Sequence, residues 1–218
     1  MNPHESCSQR FAAASARLPL VAILRGLTPN EAVPIAHTLY DAGFRLIEVP
    51  LNSPEPLRSI AAIRAALDSD ALVGAGTVLS VQAVAQVRAA GGELIVMPHA
   101  DCTVIRAAKA AGAICLPGIA TPTEAFAALE AGADALKLFP AELVTPTVLR
   151  ALRAVLPAAT ALYPVGGITP DNMRIYREAG AAGFGLGSAL YAPGAPVETV
   201  KARALAFYGA WQRLSAAA

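Results

Sequence analysis

The chain predicts an α/β protein: one parallel (β/α)8 barrel of residues 18–218, preceded by a leader or first helix of residues 1–17. Three observations carry that expectation. Eight short apolar runs alternate with Ala-rich stretches of helical spacing, five helix starts carry the same Ser/Thr-Pro pair, and five helix ends carry glycine. A length of 218 residues, 55% hydrophobic and 15% charged, with a mean hydropathy of +0.49, suits a folded chain with a large buried fraction and excludes general disorder.

The expected strands, in order, are Leu20–Leu24, Leu46–Val49, Leu72–Ala75, Leu94–Met97, Ile114–Leu116, Ala135–Leu138, Leu162–Val165 and Gly183–Leu186. Each precedes a stretch with apolar residues at helical spacing, such as Ala32, Ile35, Ala36 and Leu39, or Ile60, Ile63 and Ala66. The helix starts read as Thr28-Pro29, Ser53-Pro54, Thr121-Pro122, Thr145-Pro146 and Thr169-Pro170. A hydroxyl oxygen there accepts from the orphan N–H groups of the first turn, and the following proline already has the helical φ. Gly43, Gly91, Gly112, Gly132 and Gly180 suit the left-handed residue that closes a last turn. Eight such units in about 200 to 250 residues is the count of a TIM barrel, whose chemistry sits on the carboxyl ends of the strands. An open doubly wound sheet is the competing layout, but its usual G-x-G-x-x-G after the first strand is missing. No linker-like or charge-rich tract divides the chain, so a single barrel domain is expected.

Composition narrows the function classes. With 17 Lys+Arg against 16 Asp+Glu the formal net charge is +1, too small and too evenly spread for a nucleic-acid partner. The uncharged run Ala179 to Val197 holds five glycines and two prolines and does not read as a membrane span. Leu18 to Leu24 is shorter than a signal-peptide core, so Met1 to Arg17 reads as a soluble leader, with a short transit peptide as the alternative. Cys7, Cys102 and Cys115 are odd in number and far apart, which fits neither a disulfide framework nor metal-ligand spacing and points to a reduced, cytoplasmic setting.

Lys137 lies in Ala135-Leu136-Lys137-Leu138-Phe139-Pro140, where strand alternation puts it on the face of Ala135 and Phe139, toward the barrel interior. Such an amine either pairs with a carboxylate or snorkels to the rim, or its pKa falls by desolvation and it attacks carbonyl substrates. Glu48, in Leu46-Ile47-Glu48-Val49-Pro50, is a second isolated charge in an apolar strand. Its strand and that of Lys137 are both even-numbered, and alternate strands supply one layer of a barrel interior. The two then converge either as a structural ion pair or as an amine with a proton shuttle. Arg25 ends the first strand and Thr77 the third, among small residues: Arg offers a planar fork for a carboxylate, the plainer readings being a rim charge and a helix-start hydroxyl. The loops Val165-Gly166-Gly167-Ile168-Thr169-Pro170 and Leu186-Gly187-Ser188-Ala189-Leu190-Tyr191 follow the seventh and eighth strands, where barrels commonly bind phosphate through backbone N–H groups; tight turns are the alternative. Pro98 and His99 end the fourth strand, and His99 is either a pocket or a rim residue. His4 and His37 lack partners at ligand spacing, so no metal is indicated and the amine chemistry needs no cofactor.

Taken together, these motifs resemble the class I aldolases that cleave 2-keto-3-deoxy-6-phospho sugar acids. The resemblance runs from roughly Leu18 to Tyr191 and includes Leu46-Ile47-Glu48-Val49, Gly74-Ala75-Gly76-Thr77-Val78, Leu136-Lys137-Leu138-Phe139-Pro140, the Gly166-Gly167 loop and Gly187-Ser188. It implies that Lys137 is the Schiff-base lysine and Glu48 the general acid/base. Arg25 and Thr77 would bind the pyruvoyl carboxylate end, and Gly166, Gly167, Gly187 and Ser188 would cradle the phosphate. It further implies a small phosphorylated keto-deoxy sugar acid as substrate, and a homotrimer. Within the family, Pro50-Leu51-Asn52-Ser53-Pro54 looks like the branch acting on the galactonate epimer, with Arg25 in place of an arginine that part of the gluconate branch carries near Asn52. A gluconate-specific or bispecific enzyme is the alternative; a phosphosugar isomerase or epimerase, or a non-catalytic phosphosugar-binding barrel, is more remote. Asn52, Pro98, His99 and Phe139 complete the expected pocket.

Overall fold

The structure, a computed structural model, describes residues 6–216. Helix α1 (Cys7–Arg17) comes first, capped by Ser6, which forms a capping box with Gln9. The first five residues of the expected leader, with His4, lie outside the described residues. Strands and helices then alternate: β1 (Leu20–Ile23), α2 (Pro29–Asp41), β2 (Leu46–Pro50), α3 (Pro56–Ala66), β3 (Leu72–Gly76), α4 (Val81–Ala89), β4 (Leu94–Val96), α5 (Cys102–Ala110) and β5 (Ile114–Leu116). They continue as β6 (Gly118–Ile119), α6 (Pro122–Glu130), β7 (Leu136–Leu138), α7 (Pro146–Val155), β8 (Leu162–Pro164), α8 (Met173–Glu178), β9 (Phe184–Leu186) and α9 (Val197–Ala216). Each expected strand is present within one residue of its expected bounds. The segment β6 was not foreseen. Pro117, which has no N–H for a ladder, separates it from β5, and the two halves pair to opposite sides, β5 with β4 and β6 with β7.

All registered pairs are parallel. They form a six-stranded sheet in the order β5-β4-β3-β2-β1-β9 and a three-stranded sheet β6-β7-β8, with a parallel bridge from Val165 to Gly185 running between them. Alternation along the strands divides the buried residues into two clusters. Ile47, Val49, Leu136 and Leu138 pack with the helical Ile35, Leu39, Ile60 and Ile63. Val21, Leu46, Leu72, Leu94, Ala135 and Tyr163 face the other way, where α1 covers them with Phe11 and Ala14. Glycines 43, 91, 112, 132 and 180 do take the left-handed conformation past the helix ends, with φ of 101°, 82°, 70°, 99° and 106°.

Two of the five Ser/Thr-Pro pairs do not start helices. Helix α3 begins at Pro56 with Glu55 as its cap; the buried Ser53 instead accepts a 2.9 Å hydrogen bond from the Gly26 N–H. Helix α8 begins at Met173 with Asn172 at its cap, and Asn172 accepts from the Thr169 N–H at 2.9 Å. At Ser53 a tertiary partner takes the oxygen that local capping would have used, whereas Thr169 opens a turn closed by Asn172 just ahead of the helix. No helix among the described residues is long and apolar enough to cross a membrane.

Candidate active site

Strands β2 and β7 are buried along their whole length, and each carries one charge. Ile47, Val49, Leu136 and Leu138 face the helices, so the period of two sends Glu48 and Lys137 to the opposite side. There they line one cavity of about 650 Å³, within the usual enzyme-site range of roughly 300–1,000 Å³. Glu48 is 1% and Lys137 6% exposed. They are not an ion pair: no Glu48–Lys137 contact occurs among the salt bridges of the described residues. The Lys137 Nζ lies 4.3 Å from the centre of the Phe139 ring, and Glu48 Oε2 has no hydrogen-bond partner. Burial pushes the Glu48 carboxyl up to about 7, against the pull of the Lys137 and Arg25 charges. Burial also lowers the Lys137 amine; Glu48 opposes that shift and Arg25 adds to it. Each group is thus biased toward its neutral form, in which the amine has a free lone pair and the carboxyl a proton to give.

At one side of the cavity the loops after β1 and β2 are tied twice. Arg25 Nη1 donates to Asn52 Oδ1 at 2.7 Å, and the Gly26 N–H donates to Ser53 Oγ. The Arg25 fork is thereby aimed while remaining exposed to a ligand. Thr77, on the wall, has φ 56°, a left-handed conformation that costs a β-branched residue on the order of 1–3 kcal/mol. The loops after β8 and β9 also line the cavity, the latter reaching Gly26 through Pro193. Gly166 and Gly167 have φ of 115° and 60°, and Asn172 Nδ2 holds the Gly167 carbonyl at 2.8 Å. The backbone N–H groups of Gly167, Gly187 and Ser188 donate to no acceptor among the described residues, which leaves them available to an anion.

Of the expected residues, Glu48, Lys137, Arg25, Thr77, Asn52, Phe139, Gly166, Gly167, Gly187 and Ser188 all line this cavity. Pro98 and His99 do not. Strand β4 ends at Val96, the Pro98 carbonyl lies against Gly118, and His99 is exposed outside the lining. Sequence reasoning missed the apolar wall formed by Ile23, Val165, Ile168 and Pro193. Alternation from Arg25 back to Ile23 could have found the first; nothing local marks Pro193, which packs on Gly26 from far along the chain. It also missed Glu142, whose carboxylate lies against Gly166: a Cβ on that glycine would fall 2.4 Å from Glu142 Oε2. Among the described residues no group of three or more His, Cys, Asp or Glu side chains could hold a metal ion.

Residues 12–201 match the family described as KDPG and KHG aldolase. The chain is 49% identical to the 2-dehydro-3-deoxy-6-phosphogalactonate aldolase of Escherichia coli (strain K12) over 196 residues, 90% of this chain and 96% of that one. It is 45% identical to the probable 2-dehydro-3-deoxy-6-phosphogalactonate aldolase of Rhizobium meliloti (strain 1021), over 88% of this chain and 91% of that one. A solved structure described as native KDPGal superposes with a TM-score of 0.90 at 48% identity, covering 92% of this chain and 97% of that one. The likeness thus spans every strand that builds the cavity as well as both of its charges, and on that extent the chain belongs to the KDPG and KHG aldolase family.

Proposed function

We propose that this protein is a Schiff-base aldolase that cleaves 2-dehydro-3-deoxy-6-phosphogalactonate to pyruvate and D-glyceraldehyde 3-phosphate. The observation that carries the reading is one buried amine and one buried carboxyl in a single cavity, out of ion-pair contact and each biased toward its neutral form. The names of the two relatives support the galactonate epimer.

Lys137 Nζ attacks the C2 carbonyl, and loss of water gives a protonated imine that draws electrons from the C3–C4 bond. Glu48 as carboxylate, directly or through a water, takes the proton of the C4 hydroxyl. The C3–C4 bond breaks, its electron pair enters the imine to give an enamine, and glyceraldehyde 3-phosphate leaves. Protonation at C3 and hydrolysis of the imine then free pyruvate and the amine. Arg25 and Thr77 hold the carboxylate end, while the N–H groups of the Gly166-Gly167 and Gly187-Ser188 loops and the Ser188 hydroxyl hold the phosphate.

The test is pyruvate formation from each phosphorylated epimer, read by coupling to lactate dehydrogenase, together with borohydride trapping of the pyruvate adduct. We expect faster turnover of the galactonate epimer and one reduced adduct on the Lys137 peptide. Lys137→Arg should lose both, since a guanidinium stays protonated. An adduct on Lys109 or Lys201 with Lys137 unmodified would overturn the mechanism, and preference for the gluconate epimer would overturn the substrate.

We also propose that the strands close into one eight-stranded barrel over residues 18–218, with β5 and β6 counted as a single strand. The β1–β9 pairing and the Val165–Gly185 bridge support closure. The same reading makes the protein a cytoplasmic homotrimer. Exposed Phe126, Leu143 and Val155 are apolar surface of the kind that subunit contacts cover, and a sedimentation mass of one chain would refute the trimer.

A further inference from the structure

In the β2–β3 ladder Glu48 stands opposite Gly74 and Pro50 opposite Gly76, yet the Glu48 side chain reaches along β3 and ends on Gly76. A Cβ added to Gly76 would fall 1.5 Å from Glu48 Oε2, 2.4 Å from its Cδ and 2.7 Å from its Oε1, and these are the three nearest atoms. Gly76 does not have the left-handed φ that would itself call for glycine. What the position lacks is room for a side chain. Gly74 differs: a Cβ there would fall 1.8 Å from the Leu94 backbone oxygen, so that glycine serves the approach of two strands.

We propose that Gly76 is a positioning residue for Glu48: its missing side chain is the recess in which the carboxyl end of Glu48 sits, and that recess sets where the proton acceptor stands relative to Lys137. The inference rests on the acid/base role proposed for Glu48. Because Cβ contacts under 3.0 Å essentially never occur, a methyl group at position 76 drives the carboxyl more than an ångström from its seat. In that seat Oε2 is buried without a hydrogen-bond partner, so displacement exposes it to donors or water that favour its charged form. Misplacement of a reacting group by about 1 Å costs on the order of 100-fold in rate.

The experiment combines kinetics with a double-mutant cycle. Gly76→Ala should lower kcat for cleavage about 100-fold with little change in KM. It should also move the acid limb of the pH profile to lower pH and keep borohydride trapping of pyruvate at Lys137. In thermal unfolding, Gly76→Ala should lower the Tm of the parent but not that of Glu48→Ala, where the obstructing side chain is gone. Gly74→Ala should lower both. If Gly76→Ala alone does not fold, folding of the Glu48→Ala/Gly76→Ala double variant supports the recess and its failure overturns it. Parent-level kcat with an unmoved acid limb, or equal destabilisation in both backgrounds, also overturns it. Failure of the aldolase reading would appear separately, as absence of trapping in the parent protein.

Discussion

Glu48→Gln keeps the size of the side chain and removes its titration, which isolates the energetic consequence of burying that carboxyl. The group ionises near 4.5 when free and at about 7 in the fold. At about 1.4 kcal/mol per pH unit, that difference amounts to about 3 kcal/mol of differential stability. The sign follows from proton binding. Between the two values the folded chain holds the proton that the unfolded chain has released, so stability is fully present below about 4.5 and is lost as pH rises through 7. The glutamine variant has no such slope, and its stability relative to the parent should therefore grow by about 3 kcal/mol between pH 4.5 and 7.5. Lys137 works with the opposite sign: its lowered amine gives up its proton on folding, so stability rises with pH toward its ordinary value of 10.5. The Glu48 effect is accordingly read on the acid side. Urea unfolding of both proteins at one fixed protein concentration, across that pH range, measures it. Parallel stability curves with a constant gap would refute the assignment of a raised carboxyl.

Arg25→Lys keeps the charge but loses the fork and the 2.7 Å bond to Asn52, so KM for the sugar acid and the pyruvate concentration needed for trapping should both rise by about tenfold to a hundredfold. Ser188→Ala should weaken only the phosphorylated substrate; equal effects of the two changes on pyruvate would contradict the split between the two ends of the cavity. Phe184→Ala removes a fully buried ring set edge-on to Trp211 at 6.3 Å, and chemical denaturation should show a loss of about 3–5 kcal/mol. Treatment with EDTA should leave turnover unchanged, and a loss restored by a divalent cation would count against the amine mechanism.

Eight of the nine strands were legible because they are short apolar runs, most of them bounded by glycine, proline or a charge, and these eight lie within one residue of expectation; the two-residue β6 was not legible. The charges of the site were legible for the same reason: Glu48 and Lys137 interrupt runs that otherwise bury completely. Failures came where a local rule met a distant partner or a rival local one. Ser53 reads as a helix cap until the Gly26 N–H is known to lie beside it, and Thr169 until Asn172 is. His99 obeys the strand-end rule in one dimension, but β4 stops at Val96 and the chain has left the cavity by then. The seat of Glu48 on Gly76 is invisible in sequence because glycine at a strand end has many local uses, and only the neighbouring side chain distinguishes them.

Three charged side chains are buried among the described residues, and only one of them is satisfied. Arg45 donates to Asp70 at 2.6 Å and to the carbonyls of Tyr40 and Phe44 at 2.9 Å each, which offsets its loss of water. The half-buried charges of the opposite end behave likewise, Lys109 pairing with Asp134 and Arg10 with Glu93. Glu48 and Lys137 are the exceptions: neither makes an ion pair, and one carboxylate oxygen has no donor at all. Of the two left-handed non-glycine residues among the described residues, Thr77 stands on the wall of the same cavity and Glu55 caps α3. A fold able to satisfy Arg45 so fully is not short of partners in general, so two buried charges left without an ion pair in one cavity point to what that cavity must do. A salt bridge between Glu48 and Lys137 would stabilise both charged forms and leave neither a free amine nor a mobile proton. Keeping them apart in one cavity costs stability and leaves room for a carbonyl between an amine able to attack it and a carboxyl able to trade its proton.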